Sequence, residues 1–178
     1  MTPLVYRLKD LQEHPEGIGV NVSLDRVFLS WALGGTEADP AASSAQLTGR
    51  LLFQGGNVLL QAELSGALAC TCQRCLEPAA VSVQCRLHMV YVPQGSLIPD
   101  EAFVDPDDVD YGHHDRHEVD LSDIVREQLI LSIPIQVLCH TDCRGLCPRC
   151  GIDRNVSSCT CKMDVFDSPF SVLRNLKL

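Results

Sequence analysis

The chain has 178 residues, 46% of them apolar and 5% aromatic, with a formal charge of −9 and a pI near 5.0. That length suits one ordinary domain with at most a small appendage, its core built from Leu, Val and Ile rather than from rings. The charge argues against nucleic-acid binding by bulk electrostatics, which rests on neutralisation by Lys and Arg, and points instead to a basic protein partner.

From the N-terminus, Met1 to Asp10 shows neither the basic start and apolar stretch nor the cleavage site of a signal peptide. No run approaches the roughly 18–20 apolar residues of a membrane-spanning helix. A cytoplasmic location, no membrane partner and reduced thiols are therefore expected. Leu4 to Leu33 alternates loosely through Val20, Val22, Leu24, Val27 and Leu29, which predicts one or two strands. Gly34 to Ala45 is polar and turn-rich and reads as a loop. Leu47 to Gln54 and Val58 to Thr71 flank Gly55-Gly56-Asn57, and a Gly-Gly pair between two such runs marks a hairpin. Ala80 to Val92 alternates again, with Val81, Val83, Cys85, Leu87, Met89 and Tyr91 on one face.

Pro93 to Glu118 is acidic and interrupted by Pro93, Pro99 and Pro106, so a mobile loop with one short strand at most is expected there. Asp120 then caps a helix over 120–132, with Leu121, Ile124, Val125, Gln128 and Leu129 at helical spacing and Asp123 in the first turn. Asp167-Ser168-Pro169 announces a short terminal helix. The fold class is α+β: an antiparallel β-meander or partly open barrel with one main helix and a cysteine-rich, zinc-binding C-terminal lobe. In domain terms, a β-rich core (1–134) carries the acidic loop (93–118) and the helix (120–132), and the zinc-binding lobe occupies 135–178.

Ten cysteines in a reduced protein call for metal rather than disulfides. Cys72-Gln-Arg-Cys75 is a C-x₂-C knuckle with Cys70 two residues upstream, Cys139 and Cys143 form a second pair, Cys147-Pro-Arg-Cys150-Gly151 a third, and Cys159-Thr-Cys161 a fourth. Four pairs make two tetrahedral sites. A site drawn from Cys139, Cys143, Cys147 and Cys150 would be cramped. The favoured grouping is therefore Cys147, Cys150, Cys159 and Cys161 as a local site. Cys72 and Cys75 then meet Cys139 and Cys143, stapling the sheet to the segment after the helix. Zinc, as two structural Zn(2+) ions, suits these sets better than an iron–sulfur cluster, because ferredoxin-type spacing is missing. Cys70 and Cys85 fall at strand positions and read as small buried hydrophobes.

His113-His114-Asp115-Arg116-His117 resembles a metal cluster but sits in the acidic loop, where a solvated face is the simpler reading. Arg74, Arg144, Arg149, Arg154 and Lys162 surround the knuckles, either to contact RNA or to offset thiolate charge; the two readings weigh equally. The deaminase pattern fails because Cys147 precedes its proline, where P-C-x-x-C needs the proline first, and P-loop, G-x-S-x-G and G-x-G-x-x-G elements are missing. Four-thiolate sites leave no open position for substrate, so no enzyme and no small-molecule substrate are expected. The alternative is a redox-responsive zinc/thiol module in which Cys70, Cys72 and Cys75 exchange metal for a disulfide.

Several of these stretches together resemble the YceD family, the large ribosomal RNA subunit accumulation proteins. They are Cys72-Gln-Arg-Cys75-Leu-Glu-Pro, the helix segment Val119 to Pro134, Cys139 with Cys143-Arg-Gly-Leu-Cys-Pro-Arg-Cys-Gly151, Cys159-Thr-Cys161, and the tail from Pro169-Phe to Leu176. Order and spacing agree over about 47–178; the N-terminal third agrees only in its β character. The resemblance implies ribosome biogenesis in bacteria or organelles and normal accumulation of large-subunit ribosomal RNA. It also implies a large-subunit precursor, ribosomal protein or precursor RNA or both, as partner. Branches of the family that keep the first knuckle and lose the last two pairs fit two separable sites. The chain departs from the family pattern at Ile152-Asp-Arg-Asn155, where a leucine tends to precede the Asn, and it lacks the usual Pro-Arg near Pro169.

Overall fold

The computed structural model describes residues 4–96 and 110–161. The elements are β1 (Val5–Arg7), α1 (Leu8–Glu13), β2 (Ile18–Ser23), α2 (Arg26–Ala32), β3 (Asp39–Gln54), β4 (Asn57–Thr71), β5 (Pro78–Pro93), β6 (Asp110–His114), β7 (Glu118–Asp120) and α3 (Ser122–Leu131). The main sheet has five strands in the order β2-β3-β4-β5-β6, and β1 with β7 forms a separate two-stranded ribbon.

The long hairpin is built as its sequence demands. Gln54 faces Asn57 across the turn, and Gly55 and Gly56 take φ of 60° and 89°, the double positive φ that a tight hairpin requires. Side chains alternate along both arms. β4 buries Val58, Leu60, Ala62, Leu64, Leu68 and Cys70, and β5 buries Ala79, Val83, Leu87, Met89 and Tyr91. One apolar core collects these with residues of all three helices. α3 contributes Ile124, Val125 and Leu129 to it, while the Asp120 carboxylate accepts the Ser122 N–H at 2.8 Å.

Four expectations change. Leu4 to Leu33 holds two short helices as well as β1 and β2. Leu8 and Leu11 in α1, and Phe28, Leu29 and Ala32 in α2, are buried at helical spacing, and Asp25 caps α2 by accepting the Phe28 N–H at 2.7 Å. The stretch Gly34 to Ala45 is a loop only as far as Ala38; from Asp39 it belongs to β3, with a register shift between Asp39 and Ser44. Its small polar residues join the ladder because the long strand β4 offers backbone partners, and the Ser43 hydroxyl accepts the Ala69 N–H at 3.0 Å. The meander does not simply continue, because β6 runs parallel to β5. The sheet is also open rather than barrel-like, since among the described residues no ladder joins β6 to β2. Most of the acidic loop and the helix expected after Asp167 lie outside the described residues. Among the described residues, no helix is long and apolar enough to cross a membrane.

Candidate metal centres

The loop joining β4 to β5 is the first cysteine knuckle. Thr71 faces Pro78 in the last pair of the ladder. The Cys72 N–H then donates to the Glu77 carbonyl at 2.8 Å, and the Leu76 N–H to the Cys72 carbonyl at 2.9 Å. The same turn recurs in the C-terminal segment. There the Cys147 N–H donates to the Ile152 carbonyl at 2.9 Å, and the Gly151 N–H to the Cys147 carbonyl at 2.9 Å. In each, the residue after the second cysteine is left-handed, with φ of 63° at Leu76 and 73° at Gly151. Glycine takes that conformation freely and leucine only under strain.

Each knuckle meets a second pair. After α3 the chain crosses beneath the first knuckle, where the Gln73 N–H donates to the Val137 carbonyl at 3.0 Å, and delivers Cys139 and Cys143. The Cys72 and Cys143 sulfurs lie 3.8 Å apart, and those of Cys75 and Cys139 3.5 Å apart. In the second group, Cys147 and Cys150 meet Cys159 and Cys161. Within each set of four, all sulfurs lie within 4.8 Å of one another. Four sulfurs about 2.3 Å from a central zinc would be separated by roughly 3.8 Å, whereas a disulfide needs about 2.05 Å. All ten cysteines are free thiols, and the donor chemistry fits a soft or borderline divalent cation. The first set is more enclosed. Cys72, Cys75 and Cys143 are buried and Cys139 half-buried, whereas in the second set Cys147 is buried and Cys150 exposed.

The electrostatics of the two sets agree. Burial opposes ionisation of Cys72, but the backbone N–H groups of Cys75, Arg74 and Cys139 outweigh it and bring the thiol down to about 6. Cys147 also falls to about 6, through the backbone N–H groups of Cys150 and Arg149. Their neighbours move the other way. Cys75 has the Glu77 N–H in its favour, yet burial and hydrogen bonds from the surrounding thiols push it up to about 12. Cys161 rises to about 12 through its hydrogen bond with Cys150 and through burial. One thiolate per set thus has a ready-made stabilising pocket, and the remaining three sulfurs need a shared cation before they can ionise together.

The remaining candidates disperse. Cys70 and Cys85 stand outside both sets, and burial raises both thiols above the ordinary range. Among the described residues, none of His113, His114 and His117 joins a metal-capable group. His113 and His117 are exposed, but His114 is buried, its Nε2 at 3.1 Å from the Gly56 carbonyl and its Nδ1 against the Asp115 carbonyl. The Arg74 guanidinium donates to the Cys143 carbonyl at 2.9 Å, crossing between the two halves of the first set. Arg144 and Arg154 line a hollow of about 350 Å³ beside the second set, together with Asn155, Ser157 and Ser158. Lys162 lies outside the described residues.

The roles of two residues escaped the sequence reading. His140 places its Nδ1 at 3.1 Å from the Cys139 sulfur. Asn155 donates from Nδ2 to the Cys143 sulfur at 3.4 Å. A hydrogen-bonding residue beside a ligand pair was the available signal, but sequence alone gives it no direction.

A predominantly antiparallel sheet with few helices, bearing two four-cysteine clusters able to hold metal, is the class of protein that fold and site define. The chain belongs to the YceD family, described as the large ribosomal RNA subunit accumulation protein YceD, whose model matches residues 60–177. It is similar to two chloroplastic large ribosomal RNA subunit accumulation protein YCED homologues. One, from Zea mays, is 44% identical over 46 residues, 25% of this chain and 16% of that protein. The other, from Arabidopsis thaliana, is 33% identical over 60 residues, 34% of this chain and 19% of that protein. An uncharacterized protein of Mycobacterium tuberculosis is 29% identical over 96 residues, 53% of this chain and 44% of that protein. The matched stretches therefore span less than half the length of each of these relatives. No solved structure matches.

Proposed function

We propose that the chain is a non-enzymatic accessory factor of large ribosomal subunit biogenesis, needed for normal accumulation of large-subunit ribosomal RNA. In this reading it holds two structural zinc ions and works in the reducing cytoplasm. Cys72, Cys75, Cys139 and Cys143 hold one ion, and Cys147, Cys150, Cys159 and Cys161 hold the other. The observation that carries the zinc assignment is the convergence of eight sulfurs into two sets of four, each with its sulfurs within 4.8 Å of one another. Family membership supports the ribosomal role.

Zinc in such a site supplies folding energy and no open coordination position. The chain's own residues do the rest. The knuckle N–H groups at positions 74, 75, 149 and 150 hold the first thiolate of each set, and Arg74 joins the two halves of the first. The resulting rigid surface meets a large-subunit precursor. With a net charge of −9, the main contact is a basic ribosomal protein, and precursor RNA touches only the rim of Arg144 and Arg154.

Two measurements test the proposal. Native mass spectrometry of protein purified without chelator or added metal should show two zinc ions and no disulfides. Tagged protein from gently lysed cells should co-sediment with large-subunit precursors, and its deletion should lower large-subunit ribosomal RNA. A metal-free mass with several protons missing overturns the zinc assignment. Unchanged RNA levels without co-sedimentation overturn the ribosomal role.

A further inference from the structure

We infer that the two cysteine centres form one cooperative metal-binding unit, in which Asn155 is a positioning residue that lets the second centre tighten the first. The inference rests on the zinc reading above. Only Arg144, Gly145 and Leu146 separate the last sulfur of the first set from the first sulfur of the second, and all three are tied down. The Leu146 N–H donates to the Arg74 carbonyl of the first knuckle at 2.9 Å, and the Arg154 N–H donates to the Gly145 carbonyl at 3.0 Å. Leu146 also bridges to Asp153.

Asn155 lies between Cys150 and Cys159, in the loop that the second centre closes. Its side chain reaches across to the first. Oδ1 accepts the Arg144 N–H at 2.7 Å, which fixes the amide orientation, because only an oxygen can face that donor. Nδ2 is thereby turned toward the Cys143 sulfur at 3.4 Å, and Asp153 holds it there by accepting the same amide at 2.8 Å.

Cys143 is buried, with 3% of its surface exposed, so little water reaches its thiolate. An N–H donor there disperses negative charge that the metal alone leaves on the sulfur. Removing such an outer partner typically weakens metal binding about 10–100-fold. The donor stays in place only while the loop between Cys150 and Cys159 is closed, and the second metal closes it. Linkage then requires the reverse: filling the first centre favours the second by the same factor.

The test uses the full chain loaded with Zn²⁺, with affinities from chelator competition and cadmium NMR of the Cd²⁺ form to resolve the two centres. The wild type should bind two ions cooperatively and release them in one phase. Asn155→Ala keeps all eight sulfurs. It should weaken the first centre about 10–100-fold and leave the second centre's cadmium resonance in place. Asn155→Asp, which keeps the acceptor for Arg144 but loses the N–H, should behave alike. Cys161→Ser, which disables the second centre, should weaken the first by a similar factor, and adding Asn155→Ala to it should do nothing further. A first-centre affinity within about twofold of wild type in Asn155→Ala, or additive effects in the pair, overturns the coupling while leaving two zinc sites standing. A wild-type chain that binds no metal overturns both.

Discussion

Gly145→Ala should damage the junction between the two centres far more than Gly151→Ala, although both positions are left-handed. At Gly151 φ is 73°, and a Cβ would meet nothing within 4 Å. Alanine there meets only the backbone penalty of about 1 kcal/mol. At Gly145 φ is 67°, and a Cβ would sit 2.7 Å from the Arg74 carbonyl oxygen and 3.1 Å from the Arg74 Cβ. That oxygen accepts the Leu146 N–H, so backing away from the new methyl also breaks the hydrogen bond, worth about 0.5–1.5 kcal/mol. With the steric displacement added, Gly145→Ala should destabilise by about 2–4 kcal/mol, against about 1 kcal/mol for Gly151→Ala. In a chain of this size those values lower Tm by roughly 4–16 °C and roughly 2–4 °C. Circular-dichroism melts in excess zinc measure the shifts, and chelator-driven zinc release gives an independent reading of the junction. Equal shifts in the two variants would refute the claim that the knuckle carbonyl and Gly145 are in forced contact.

Leu129→Ala, at a fully buried position of α3, should cost about 2–5 kcal/mol by opening a cavity, visible as a lower urea midpoint with little change in slope. Cys85→Ser should leave the zinc count of the native mass unchanged, because Cys85 lies outside both sulfur sets, whereas Cys147→Ser should remove the second ion. Chelator-treated protein should be most stable near pH 9. Cys72 and Cys147 have folded values near 6, below the ordinary 9, so the stability they add is full above 9 and fades as pH falls through 6. Cys75 and Cys161, raised to about 12, add stability that is full below 9 and lost as pH rises toward 12. Melts from pH 5 to 11 test this, and a Tm that rises steadily toward acid would contradict it.

What could be read from sequence followed covalent spacing. Two cysteines three apart can face one point only through a tight turn, so the knuckles at Cys72 and Cys147 were visible as motifs. Crowding between Cys139 and Cys150 disfavoured one grouping of the four pairs, and the short separation of Cys147 and Cys150 from Cys159 and Cys161 favoured another. The β3–β4 hairpin was equally legible, because Gly55-Gly56 carries its own turn and the strands on either side alternate. Leu4 to Leu33 was not. α1 and α2 have six and seven residues, too few for a helical period to stand out from loose alternation, and their helicity depends on packing Leu8, Leu11, Phe28 and Leu29 into the shared core. The acidic loop was expected to hold one short strand at most, and the parallel pairing of β6 depends on how the chain returns to Met89–Pro93. Asn155 was quoted as a motif position, yet its bond to Cys143 depends on where the second loop folds.

The family match begins at Leu60, inside β4, and runs through both sulfur sets. It leaves out β1, α1, β2, α2 and all of β3. The matched part is thus the portion stapled at its ends: the β4–β5 knuckle at one place, and the segment after α3 brought back to meet it. The unmatched part closes over that portion, with Leu8, Leu11, Phe28 and Leu29 in the same core. A contact shared by the family should therefore use the surface around the two centres and α3. The first 59 residues would tune stability and any recognition peculiar to this chain. Substitutions at exposed Arg144 and Arg154 should accordingly impair association with large-subunit precursors without lowering Tm, whereas substitutions at exposed Arg7 and Lys9 should leave association intact. Co-sedimentation of the two charge-reversed pairs decides between these surfaces, and loss of association in the Arg7 and Lys9 pair alone would move the partner contact to the N-terminal part.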